Sequence, residues 1–245
     1  GHTDWVIDKA IYPEGHPYNW QVIGELVDLQ NATIEDVKEF YSKYYGPNNA
    51  TLVLAGDFNT EDAKAMIEKY FGEIKRGQEV SKLKPQPVTI SETKRLYHED
   101  NFATTAQLNM VWPTLEQYTD DAYALNFLAQ ILSKGKKAPM YKVLVEEKEL
   151  TSRTTAFNSS QELAGAFRII ITANDGENLA DVEDAIFEAF KKFENDGVTD
   201  RDVERIKASQ ETDFYNDISS VFFKSYWLAR YNVLAGDPGF ITQDI

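Results

Sequence analysis

The sequence predicts an α+β fold, and three observations carry that expectation. Segments with strand character come in pairs ahead of helices, which favours antiparallel pairing over a doubly wound sheet. A helix–strand–helix run occupies residues 33–71. Between Lys75 and Lys94 the composition turns to Lys, Gln, Ser and Pro, with Pro85 and Pro87, and reads as a linker.

Taken in order, Thr33 is an N-cap with Glu35 and Asp36 in the first turn, where acids suit the positive helix end. Ile34, Val37, Phe40, Tyr41 and Tyr44 follow at helical spacing. Gly46-Pro47-Asn48-Asn49 stops that helix. Thr51–Ala55 is short, apolar and bounded by turn residues, so a buried strand is expected. Asn59 or Thr60 caps a helix with Ala63, Met66, Ile67, Tyr70 and Phe71 on one face. Beyond the linker, strands are expected at 93–97 and 106–112, helices at 122–132 and 140–147, and a strand pair at 151–158 and 166–172. Helix resumes at 178–193, where Leu179, Val182, Ile186, Ala189, Phe190 and Phe193 form a stripe. Thr199 caps a further helix, and residues 219–234 continue helical.

Size and composition bound the rest. A chain of 245 residues, 42% hydrophobic, can bury one large core or two smaller ones. No stretch approaches the run of about 18 apolar residues that spans a membrane. Asp4, Asp8 and Lys9 break up any signal-like start. With no cysteine, disulfides and thiolate chemistry are excluded. The net charge of -15 repels phosphate backbones, so nucleic acid is not an expected partner.

Catalytic signals are missing at every position where the common chemistries would place them. A helix offers two histidines to one zinc at i, i+4. His2, His16 and His98 are never closer than fourteen positions. His98-Glu99-Asp100 reads as a strand end, where neighbours point to opposite faces. His16, between Gly15 and Pro17, reads as a turn residue bonded within its loop, and His2 as disordered. No Gly-x-Ser-x-Gly elbow occurs. Lys134-Gly135-Lys136-Lys137 lacks the glycine spacing of a phosphate loop and reads as a solvated turn. Asp120-Asp121 and Glu146-Glu147 are helical neighbours that diverge and cannot work as a facing acid pair. Phe222, Phe223, Tyr226, Trp227 and Tyr231 read as core. The expected site inventory is therefore empty: no catalytic residue, no metal ligand, and substrate-binding residues unassigned.

The stretch Tyr12-Pro13-Glu14-Gly15-His16-Pro17-Tyr18-Asn19-Trp20, with Ile23-Gly24 and Asp28-Leu29, resembles the M16 metallopeptidases, the pitrilysin, insulinase and mitochondrial processing peptidase relatives. The likeness continues through Asp36-Val37, Phe40-Tyr41, Tyr44-Tyr45, Pro47-Asn48-Asn49-Ala50 and Leu52–Phe58. Past the linker, Leu144-Val145-Glu146-Glu147-Lys148-Glu149-Leu150 resembles the family's Leu-Val-Arg-Glu-Lys-Gly-Leu segment. The resemblance implies α/β rolls, each an antiparallel sheet with helices packed on one side, arranged as two halves of a clamshell around an unfolded peptide. It implies zinc in the parent protein, held by a His-x-x-Glu-His helix and a later glutamate that would precede Gly1. None is expected on this chain. The family's gripping arginine and tyrosine fall at Glu146 and Ser152 here. Their loss, with His16-Pro17-Tyr18, points to the catalytic half, whose partner half supplies the grip.

The resemblance divides the chain into 1–77, the end of one roll; 78–92, a linker; and 93–245, most of a second roll. Thr33–Phe71 is expected to complement that second roll, within one chain or by segment swapping in a homodimer. Two readings of function follow. The chain is part of a zinc endopeptidase acting through zinc-activated water, alone inactive, with peptide and the other half as partners. Alternatively it is a non-catalytic structural or peptide-binding subunit. A bacterial periplasm or cell envelope is the expected location by family likeness.

Overall fold

The computed structural model describes residues 2–244. Its helices are α1 (His2–Ile11), α2 (Leu26–Asn31), α3 (Ile34–Tyr44), α4 (Thr60–Phe71), α5 (Asp120–Ser133), α6 (Leu179–Asp196), α7 (Asp200–Ser219) and α8 (Val221–Leu234). Its strands are β1 (Gln107–Thr114), β2 (Thr155–Ser160) and β3 (Gly165–Thr172), and a π-helical segment covers Tyr141–Glu147. The chain divides into two compact units, one of residues 1–22 with 84–208 and one of 23–83 with 209–245.

The first unit holds the sheet, antiparallel in the order β1-β3-β2. β3 is central because its β-branched run Ile169-Ile170-Ile171 suits a pleated surface covered on its faces. Ile169 stands opposite Met110 of β1 and Ala156 of β2, and Ile171 opposite Leu108. On that face α5, the π-helical segment and α6 supply Leu132, Met140, Leu144, Val182, Ile186 and Ala189, and together these form the core. The expected α6 stripe is therefore the buried one. Asn158, nearly buried among these groups, donates to the Ala122 carbonyl and to Ser160, while its Oδ1 accepts from Thr114, so no polar atom is stranded. Gly165 is required at the hairpin: a Cβ there would meet the Leu115 carbonyl at 2.5 Å.

Capping follows the expected chemistry. Thr33 and Asp36 exchange hydrogen bonds in a capping box, and the Thr33 hydroxyl, with its amide, holds the Asp36 carboxyl below its ordinary range. Asn59 caps α4, Asn178 caps α6, and Thr199 with Asp202 repeats the box at α7.

The second unit departs from expectation. Thr51–Ala55 joins no strand among the described residues, and Leu52 and Leu54 are exposed. A strand persists only where a neighbour takes its backbone hydrogen bonds, and no described strand lies beside this one. In the first unit, residues 93–97, expected as a strand, likewise join none among the described residues. Also in the first unit, the helix expected at 140–147 winds as a π-helix over Tyr141–Glu147, and in the second unit residues 219–234 break at Ser220 before α8. The α8 aromatics are mostly not core. Tyr231 is buried, its hydroxyl donating to Asp244, whereas Phe222 is 70% exposed. That helix is apolar on nearly every side, and packing covers only one.

Ile169→Ala should lower unfolding stability by about 2–5 kcal/mol, as a large-to-small change in a filled core. Ile23→Ala, 89% exposed, should stay within about 0.5 kcal/mol. Denaturant melts of the two variants check the contrast.

Candidate functional site

The structure gathers potentially reactive groups of the first unit in three places. The first is the Gly15-His16-Pro17-Tyr18 turn. His16 is only 5% exposed and stacks on Tyr12 with centroids 4.6 Å apart. The Tyr18 amide donates to His16 Nδ1 at 3.0 Å, which places the ring proton on Nε2, and that nitrogen donates to the Gln86 carbonyl at 3.0 Å. Tyr18 accepts from the Leu163 amide at 3.0 Å. Nδ1 thus holds the turn, as the turn reading expected, while Nε2 reaches outside the loop and ties it to Gln86. Burial pushes the Tyr12 hydroxyl up to about 12, with the Asp8 charge adding to the effect.

Beside this turn, α1 lies against the outer face of β3 through one cation. Arg168 Nη1 donates to Asp4 at 2.8 Å and Nη2 to Asp8 at 2.9 Å. Burial raises the Asp8 carboxyl, outweighing the attraction of Arg168, and the Asp4 charge raises it further. Asp8 therefore binds its proton more tightly folded than unfolded. Its ionisation costs stability as pH rises through the folded value, and acidification relieves that cost.

The second place is a groove of about 1350 Å³ between α1, residues 90–100, the free edge of β1, and Leu179, Glu183 and Phe187 of α6. His98 lies there, and His2 stacks on it with Nδ1 3.3 Å from His98 Nε2. His2, expected disordered, instead opens α1, whose Asp4 and Lys9 sit at the favourable ends of the helix. The contact between His2 and His98 had no sequence signal, since 96 positions separate them. Asp100 serves its own turn by accepting from the Phe102 amide. Among the described residues no group of three His, Asp or Glu side chains could hold a metal ion. Two imidazoles without a third ligand do not fit a zinc site.

The third place is a hollow of about 490 Å³ between the turn ending α5 and the entry to β2. Gly135, at φ +91°, makes that turn. The Thr151 hydroxyl donates to the Thr172 carbonyl at 2.7 Å and accepts from the Arg153 amide, which fixes Ser152 and Arg153 at the rim. Ser152 lines the hollow; Glu146 pairs instead with Lys142 at 2.5 Å. Asp120 and Asp121 open α5, where the helix end favours them.

Glu149 adopts φ +54°, where the resembling family segment carries glycine. Asn174 holds its carbonyl at 2.6 Å, and the conformation costs about 1–2 kcal/mol for a residue with a Cβ. Glu149→Gly should raise stability by about 0.5–1 kcal/mol, less than the strain removed because glycine gains unfolded-state freedom. Glu149→Ala should give no gain. Arg168→Met should cost about 1–3 kcal/mol by leaving two acids face to face, discounted for their exposure. Asp8→Asn should cost less, and should flatten the pH dependence assigned to Asp8. Thermal melts of the set from pH 4 to 8 decide both.

The family model described as the peptidase M16 inactive domain matches residues 31–210. The chain is 26% identical over 213 residues to the zinc protease PqqE of Helicobacter pylori, covering 84% of this chain and 47% of that protein. Its fold matches the crystal structure of a Helicobacter pylori protease with TM-score 0.79 and 25% identity, over 93% of this chain and 55% of the other. A peptidase M16 inactive domain from Pseudomonas fluorescens matches with TM-score 0.79 and 18% identity, over 98% and 56%. The chain spans about half the length of each. It belongs to the peptidase M16 family and carries that family's inactive domain.

Proposed function

We propose that this chain is the metal-free scaffold of a zinc metalloendopeptidase and forms part of the wall around a peptide held for hydrolysis. The commitment of both His16 nitrogens to Tyr18 and Gln86 carries the reading. The buried His16 holds a loop, and the other two histidines make a pair with no third ligand among the described residues. The family membership and the zinc protease relative supply the zinc chemistry as a property of the parent. In this reading residues 1–77 and 93–245 are successive roll segments joined by 78–92. Thr33–Phe71 complements the later roll within the chain or by exchange between copies. The Asn232 to Thr51 hydrogen bond at 3.0 Å supports the first of those.

One observation favours the alternative of a non-catalytic peptide-binding subunit. Among the described residues β1 pairs only with β3, so its outer edge presents unpaired backbone groups to the large groove, a setting that accepts an extended segment.

Highly purified chain, incubated with fluorogenic peptides and micromolar zinc, should release no product above buffer. Activity should appear only when the catalytic part of the parent is supplied. Cleavage by the chain alone, abolished by a chelator, would overturn the scaffold reading. A parent gene without a His-x-x-Glu-His motif would favour the peptide-binding subunit.

A further inference from the structure

We propose that the hollow between the α5 turn and the entry to β2 is a binding site for a compact oxyanion, either a free anion or the terminal carboxylate of a peptide. Its lining is the reverse of the chain as a whole. The protein carries 40 acids against 25 Lys and Arg, yet Lys134, Lys136 and Arg153 line the hollow and no Asp or Glu does. Arg205, whose Nη2 also lies 4.0 Å from Asp202 Oδ1, approaches the same turn, its Nη1 4.0 Å from where a Cβ on Gly135 would stand. Clustered cations at a concave surface raise the local concentration of anions, and a guanidinium offers a fork matched to two oxygens.

Polar groups without assigned work stand beside these cations. Gln130 lines the hollow, and its buried Oε1 has no hydrogen-bond partner. A buried amide of that kind calls for an explanation. Amide orientation is an assignment from the surrounding bonds, and turned over the side chain would place its NH2 at that buried position. Tyr141 and Ser152 add hydroxyls at the rim. The rim itself is held in place: the Thr151 hydroxyl fixes Arg153, and Thr154 donates to the Ser133 carbonyl at 3.3 Å. About 490 Å³ falls in the range of small-ligand pockets and exceeds what a lone ion fills. The site stands whether or not the chain walls a peptide chamber.

Calorimetric titration of the whole chain at fixed ionic strength tests it with three probes: inorganic phosphate, acetyl-trialanine with a free carboxylate, and the amide of that peptide. Saturable binding of phosphate or of the peptide acid is expected. Lys136→Met and Arg153→Met should each weaken it tenfold or more with unchanged melting temperature. Lys136 is exposed in the turn, so its variant remains informative if Arg153→Met fails to fold. Binding of phosphate alone identifies a free anion as ligand, and preference for the peptide acid over its amide identifies a peptide terminus. No saturable binding, equal binding of acid and amide without phosphate binding, or affinity unchanged in Lys136→Met would overturn the proposal.

Discussion

β3 is the member on which the first unit depends. One face of it, Phe167, Ile169 and Ile171, is pressed under α6 and the π-helical segment. The other carries Arg168, which anchors α1. Hydrophobic burial and a charged anchor thus meet on alternate residues of one strand, as the two-residue side-chain period allows. The hairpin to β2 and the ladder to β1 transmit that order to the rim carrying Ser152 and Arg153, and to the edge facing the large groove. Removing the apolar face would collapse the layer; removing the cation would free α1 while leaving the sheet.

Much of this was legible because local signals and burial agree. Thr33, Asn59 and Thr199 cap helices for the reason their side chains accept backbone N–H bonds, and the α6 stripe faces the core. The misses share a different cause. Thr51–Ala55 and residues 93–97 have strand composition, but pairing is decided by what lies alongside, which spacing cannot report. The α8 aromatics, apolar nearly all round, gave no preferred face. The pairing of His2 with His98, and the gathering of Lys134, Lys136 and Arg153, are long-range consequences of the fold. Lys134, Lys136 and Lys137 are exposed, as the solvated-turn reading expected; spacing alone could not place Arg153 beside the first two.

The M16 likeness seen in the Gly15–Tyr18 turn and in residues 144–150 has a physical counterpart at both places. His16 and Tyr18 tie the first twenty residues to Gln86 and Leu163. Glu149 keeps the left-handed turn that glycine would hold without strain. In each, the element is a backbone conformation rather than a reactive group, in keeping with the family's inactive domain.

The measurement to make is zinc binding to the purified, chelator-treated chain, followed by calorimetry and by the imidazole resonances of His2, His16 and His98. A scaffold requires no stoichiometric site tighter than roughly micromolar, well short of a structural zinc site, with the His16 resonances unmoved. One tightly held zinc per chain that shifts His16 would contradict it, because His16 could bind metal only by giving up the bonds that fold its turn.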